Sequence, residues 1–240
     1  IYTNPQWQCR LTPYLEANLY DGTIYDERLL YSDREVTPAI TVPSPGGQMR
    51  ADAIEPIVEK ERYYPVALFS PAPGVVIADF GQNIAGVCEI RLPQRMEAGQ
   101  EITIKHAELL DENGLLYMAP LREVKARDTF ISAGRTYSKT DTFKPEFTYH
   151  GFRYVQIEGY EDIKAEDIWA IALYNDIKNS AFFECGSPML NRIYKNAIQT
   201  ETANIHSMFT DCPQRNERMA WLNDSTVRFE ALPYNFNIGR

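Results

Sequence analysis

Near residue 180 the hydrophobic period of this chain changes, and that switch constrains the fold more than any other feature. Upstream, short runs rich in β-branched and aromatic residues alternate apolar with polar side chains and are separated by Gly, Pro and Asn. Alternation of period two buries one face of an extended strand, and many such runs in succession read as an all-β sandwich. The clearest are "GVVIADF" (74–80), "GVCEIRL" (86–92), "QEITIKHAEL" (100–109), "RDTFIS" (127–132) and "FTYHGFRYVQIEGY" (147–160). In the third run Ile102, Ile104 and His106 fall on one face, and Thr103, Lys105 and Ala107 on the other. "DENG" (111–114) supplies an Asn-Gly turn, and "MEAGQ" (96–100) places a glycine ahead of a strand. The Pro- and Gly-rich 41–52 reads as a loop between an N-terminal hairpin region and the main sheet.

Downstream the apolar residues recur every three or four positions. Ser187 can cap a helix whose first residue is Pro188, where a missing amide costs nothing. Met189, Leu190, Ile193, Tyr194, Ala197, Ile198, Ile205 and Met208 extend the pattern across 188–208, although 199–204 is more polar. A second helix is expected to begin within or just after "DCPQRNERMAWLND" (211–224) and to run until Pro233 disturbs it. The expected fold is therefore mainly β, an antiparallel β-sandwich followed by helices. Two amphipathic helices would expose an apolar stripe unless the sandwich covered it, so the expectation is a truncated larger protein whose remainder is helical.

With 44% hydrophobic and 24% charged residues over 240 positions, the chain can bury a core and is not a disordered, collagen-like or coiled-coil sequence. No apolar run is long enough to cross a bilayer, which argues against a membrane partner. The chain opens at Ile1 with neither an initiator methionine nor a signal-like segment, so any targeting segment is expected to have been removed or to lie upstream, and the compartment is not legible. A formal net charge of -9 repels polyanions, and Arg122, Lys125 and Arg127 are interleaved with acids, which argues against nucleic acid. Cys9, Cys88, Cys185 and Cys212 lack zinc-site spacing and read as buried or partly buried free thiols; His106, His150 and His206 are too dispersed to read as a metal site.

Residues 211–224 concentrate the chemistry. Cleaving a glycosidic bond takes one carboxyl that donates a proton and another that activates water or attacks the sugar. With Glu217 at the start of a helix, Asp224 would lie two turns along the same face, with Arg218 or Ala220 and Trp221 nearby, so that an indole and two carboxylates line one wall. Trp221 would offer an apolar ring to a sugar, Asp211 would accept hydroxyl hydrogen bonds, and Arg215 would orient a carboxylate or pair with Glu217. The alternative is a solvated helix start with a capping acid, a common use of such residues. Spacing leaves both open.

These residues resemble the active-site signature of the α-L-rhamnosidases of glycoside hydrolase family 78, close to D-C-P-x-R-x-E-R-x-x-W-x-x-D. "VVIADFGQNIAGVCEIRL", "GQEITIKHAELLDENGLLY", "LREVKARDTF" and "FTYHGFRYVQIEGY" resemble, in order, the β-sandwich that precedes that family's catalytic domain. "LYDGTIYDERL" resembles the end of a more N-terminal β domain, and "FFECGSPMLNRIYKNA" the entry into a six-hairpin α/α barrel. The resemblance implies three parts: 1–45, the end of an N-terminal β domain; 46–178, the sandwich; and 179–240, the first helices of a truncated barrel. It implies an inverting, exo-acting hydrolase that needs no cofactor and acts on rhamnose-containing glycosides or polysaccharides. Glu217 takes the position of the general acid, and Asp211 and Asp224 bind rhamnose with Arg215 and Trp221. The base would be a glutamate beyond Arg240, so this chain alone would be inactive. Asn216, Ala220 and Asn223 depart from the usual residues. Asp79, Gln82, Asn83, His150 and Arg153 are expected to serve turns and inter-sheet hydrogen bonds instead of a site. Competing readings are a non-catalytic carbohydrate-binding or scaffold sandwich, with "ERYYPVALF" (61–69) as its aromatic face, and a related barrel hydrolase for another sugar. Homo-oligomerisation stays open.

Overall fold

The structure, a computed structural model, describes residues 4–32, 36–44 and 46–238. Twelve strands are formed among them: β1 (Gln8–Cys9), β2 (Tyr14–Asn18), β3 (Gly22–Asp26), β4 (Thr37–Pro38), β5 (Ile57–Tyr63), β6 (Ala67–Ala72), β7 (Val75–Arg91), β8 (Ala98–Ala107), β9 (Arg127–Ala133), β10 (Thr142–Phe143), β11 (His150–Glu158) and β12 (Ile168–Asn175). Helices α1 (Pro188–Ala203), α2 (Leu222–Thr226) and α3 (Leu232–Asn235) follow. β1 and β4 pair with each other, and the remaining strands form one curled sheet in the order β2-β3-β9-β8-β11-β7-β12-β5, with β6 and β10 also on β7. The pairs are antiparallel except β3 with β9, which run parallel. The described residues of 41–52 form no strand or helix; Pro45 lies outside them.

The sheet curls because β7 is long and kinked. The sequence suggests two strands, 74–80 and 86–92, with Gln82 and Asn83 among the turn residues between them. One 17-residue strand is observed instead. Opposite it, β11 pairs Phe152 with Ile84 and Tyr154 with Asp79, so three extra residues of β7 bulge out. The bulge is fixed by Gly81, at φ +73°, whose amide donates to Asp79 Oδ1 at 2.6 Å. Beyond it β7 leaves β6 and continues along β12 and β10, enclosing the main core. That core holds Val76, Ile84, Ile90, Ile102, Ile104, Phe130, Phe152, Val155, Ile157 and Ile168. Ile102, Ile104 and His106 are buried together as the alternation predicts.

The helical part departs further from its expectation. The Ser187 hydroxyl caps α1 by accepting from the Leu190 amide, but the helix stops at Ala203, and Asn204 turns the chain so that Ile205 bridges to Phe209. The polar stretch before 204 has no apolar face to continue the stripe. α1 buries its C-terminal end, with Ala203 against Ala85, Ala172 and Tyr174, and leaves Met189, Leu190 and Ile193 exposed. The expected second helix is two short ones: α2 covers five residues, and Pro233 sits in the first turn of α3 instead of breaking a longer helix. Cys88 and Cys212 are buried and Cys185 is half-buried, as expected of the thiols, whereas Cys9 is exposed in the short β1.

Candidate functional site

The segment that carries the candidate acids is a loop, held against one end of the sandwich by a buried arginine. Arg218 is 5% exposed and has φ +48°. Its guanidinium donates to Tyr149 O at 2.5 Å and Leu19 O at 2.9 Å on the sheet side, and to Arg215 O at 3.0 Å and Gln214 O at 3.2 Å in its own loop. It also lies over the rings of Tyr149 and Tyr20, at 4.9 and 5.4 Å. The sequence reading placed Arg218 beside a helical wall; its four carbonyl partners make it an internal clasp instead. Gly151 completes the seat, since a Cβ there would stand 2.8 Å from Pro213 Cγ and 2.9 Å from Gln214 Cβ.

Because 211–221 is not helical, Glu217 lies ahead of α2 and does not share a helix face with Asp224. The expected wall of Glu217, Trp221 and Asp224 is therefore not formed. Glu217 is drawn back onto Asp211 instead. Arg215 Nε donates to Glu217 Oε2 at 2.5 Å, and its Nη2 reaches Asp211 Oδ2 at 3.5 Å. Asp211, with a side chain 4% exposed, accepts from the Met219 amide at 2.9 Å. Burial opposes its ionisation, but hydrogen bonds from the Cys212 thiol and the Met219 amide outweigh this and hold its carboxyl below the ordinary value. Trp221, half-exposed, precedes α2, and Asp224 stands exposed within it. Asn216, Ala220 and Asn223, where the sequence departs from the usual signature, are all exposed.

Two partners come from distant parts of the chain. Arg122 Nη2 lies 3.3 Å from Glu217 Oε2, and the Tyr20 hydroxyl donates to the Glu217 carbonyl at 3.3 Å. A cavity of about 300 Å³ opens beside the loop, lined by Asn83, Glu108, Gln199, Asn204, Asp211 and Arg215 among others. Burial lifts the Glu108 carboxyl above its ordinary value, and Arg215 offsets only part of that. Neither Arg122 nor Glu108 stands out in the sequence; the only sign is that both fall in stretches that carry the family resemblance.

Beneath this seat lies a buried polar cluster. His150 Nε2 and Asp128 Oδ2 are 3.0 Å apart, Asp128 Oδ1 accepts from the Thr23 amide, and His106 Nδ1 meets Ala126 O at 3.1 Å. Burial pushes both histidines down to about 3 and Asp128 up to about 6. Ligand atoms of His106, Asp128 and His150 lie within 4.8 Å of one another. The two imidazoles nevertheless stack at 4.2 Å with 21° between their planes, so their in-plane lone pairs run nearly parallel and do not converge about 2 Å from one ion. Asp211, Cys212 and Glu217 also come within 4.8 Å, but Arg215 already supplies the positive charge between the two carboxylates. Among the remaining sandwich polars, Arg153 grips Asp79 bidentately at 2.8 Å across the sheet, as expected, whereas Asn83, which donates to Glu108, lines the cavity.

Comparison with known proteins gives this architecture a family. Residues 70–174 match the bacterial α-L-rhamnosidase concanavalin-like domain, and residues 178–240 the bacterial α-L-rhamnosidase six-hairpin glycosidase domain. The chain belongs to the α-L-rhamnosidase family. Among curated relatives, an α-L-rhamnosidase of Streptomyces avermitilis is 31% identical across 100% of this chain and 24% of its own length. Among solved structures, that of an α-L-rhamnosidase from Dictyoglumus thermophilum matches with a TM-score of 0.91 and 35% identity, over 99% of this chain and 28% of that one. The S. avermitilis enzyme complexed with L-rhamnose matches with a TM-score of 0.89 and 28% identity, over 98% and 23%. The chain thus spans about a quarter of the length of the curated relatives it matches. The first family match covers β7 to β11 and nearly all of β12, with Tyr149 and Gly151 of the seat, and the second covers all of 211–224 in this rhamnosidase-family chain.

Proposed function

We propose that this chain supplies the acid side of the active site of an inverting, exo-acting α-L-rhamnosidase, which releases terminal α-L-rhamnose from glycosides or polysaccharides without a cofactor. Glu217 is the proton donor to the leaving oxygen. The observation that carries this reading is the Asp211–Arg215–Glu217 arrangement: Arg215 is shared by a buried carboxylate and a half-buried one, in a loop clasped to the sandwich. Arg215 and Asp211 hold one side of the sugar. Trp221 presents its exposed ring to the C–H face, and the Asp224 carboxylate is open to accept hydroxyl hydrogen bonds. The base comes from elsewhere, because an inverting pair stands roughly 6.5–9.5 Å apart to admit water, whereas ligand atoms of Asp211 and Glu217 lie within 4.8 Å. That base is a glutamate beyond Arg240, within the barrel. The same reading divides the chain into the end of an N-terminal β domain (1–45), whose β2 and β3 extend the sandwich's sheet through β9, the sandwich (46–178) and the first barrel helices (179–240). The names of the relatives support it, as does the L-rhamnose bound by the S. avermitilis enzyme.

The test is turnover of an aryl α-L-rhamnoside by the full-length gene product, with the anomer of the released sugar followed by NMR. Inverted rhamnose is expected. Glu217→Gln should lose about 10²- to 10⁴-fold on a sugar or alkyl leaving group and far less on an activated aryl group, which departs with little protonation. Equal losses on both would refute Glu217 as the acid, and retained configuration would refute inversion.

A further inference from the structure

The end of the sandwich remote from the acid loop carries a second cleft, which the proposed activity does not use. β11 runs between the two: Gly151 near its start seats the loop, and Gly159 just past its end lines the cleft, so its nine residues at roughly 3.3 Å each put about 25 Å between them. The cleft has a volume of about 1210 Å³ among the segments 91–95, 137–139 and 159–167. That exceeds the room of about 300–1,000 Å³ found in pockets for drug-sized ligands. Arg91 ties its walls together: Nε donates to Lys139 O at 2.8 Å, and Nη1 to Glu166 O at 3.3 Å and Asp167 Oδ1 at 2.5 Å. The Tyr137 amide donates to Gln94 O at 2.9 Å, and Gly159, at φ +83°, lies so close to Glu101 O that a Cβ would stand 2.1 Å from it. The opening is thus held by the fold itself, and filling it requires little further ordering.

We propose that this cleft is a non-catalytic binding site for an uncharged oligosaccharide several sugar units long. Its charges decide the class. Arg95, Lys139 and Lys164 line it together with Glu161, Asp162 and Glu166, and none of the six forms an ion pair among the described residues; Arg91 and Asp167 pair with each other. Three cations and three acids cancel, so a charged ligand of either sign meets no net field there. What remains is a dense set of donors and acceptors, to which Gln94, Gln100 and Ser138 add amides and a hydroxyl, and sugar hydroxyls both donate and accept. Half-buried Tyr160 supplies a ring for the C–H face of a pyranose. An apolar ligand would bury these polar groups unpaired. At about 25 Å from the loop by the length of β11, the bound chain does not touch the sugar held at Glu217.

The experiment runs the full-length gene product through native gels that contain neutral rhamnan or its sulfated form, and reads Kd from the retardation. A variant carrying both Glu161→Ala and Lys164→Ala removes two exposed side chains and leaves the bonds of Arg91 in place. Neutral rhamnan should retard the wild type, and the variant should bind it about tenfold more weakly. Turnover of an aryl α-L-rhamnoside should be the same in both, since the cleft lies far from Glu217. No retardation of the wild type, equal retardation of the variant, or tighter binding of the sulfated form overturns the inference. A fall in aryl rhamnoside turnover that matches the fall in binding also overturns it, because the site would then not be separate from the cleavage site.

Discussion

Replacing Arg218 with methionine keeps most of the apolar stem and removes every donor, so it isolates what the clasp contributes. The wild-type guanidinium satisfies four backbone carbonyls, two on the sandwich side and two in its own loop. At about 1 kcal/mol for each bond left unmade, the gross loss is about 4 kcal/mol. Part is returned, because a charge no longer has to be buried among neutral groups, and burial already pulls the Arg218 pKa down. A net loss of about 2–3 kcal/mol remains, which at roughly 3 °C per kcal/mol for a chain of this size lowers Tm by about 6–9 °C. Thermal unfolding followed by circular dichroism measures it. Limited proteolysis should show new cleavage within 211–221 before the sheet melts, since the lost bonds are those that hold this loop. A Tm within about 1 °C of wild type, with the loop still protected, would refute the clasp.

Two further perturbations test the seat and the buried cluster. Gly151→Ala places a methyl group 2.8–2.9 Å from Pro213 and Gln214, so the 211–217 loop must move; a stability cost of about 1–3 kcal/mol is expected, with a larger loss of rhamnoside turnover, and unaltered kinetics would contradict the close fit. Acidification should destabilise the chain. His106 and His150, held near 3, and His206, pulled down to about 4 by burial, give up stability as pH falls below about 6.5, where only the unfolded chain takes up protons. Asp128, raised to about 6, acts in the opposite sense and adds stability as pH falls through that value, but it is one group against three. Urea midpoints at pH 7 and pH 5 should therefore fall, and a midpoint that holds or rises at pH 5 would show that the histidines are not kept neutral.

The sequence by itself determined the fold class, and its resemblance to a family singled out the candidate acids. Alternation in β8 and β11 and the switch of period near residue 180 follow from local side-chain order, which needs no partner to be read. Asp211, Arg215 and Glu217 were legible for the same reason, since they meet within one short loop. Tertiary structure decided the rest. Gln82 and Asn83 read as turn residues, but a bulge against β11 carries the strand straight through them, because pairing to β11 and β12 outweighs local turn preference. Helical periodicity across 211–224 suggested a wall of Glu217, Trp221 and Asp224. Arg218, drawn inward to Leu19 and Tyr149, holds that stretch as a bent loop out of helix, with Glu217 turned toward Asp211 instead. Arg122, Tyr20 and Glu108 reach the site from far along the chain, brought there only by the curl of the sheet, and no local pattern in a sequence records which distant residues a curl will join.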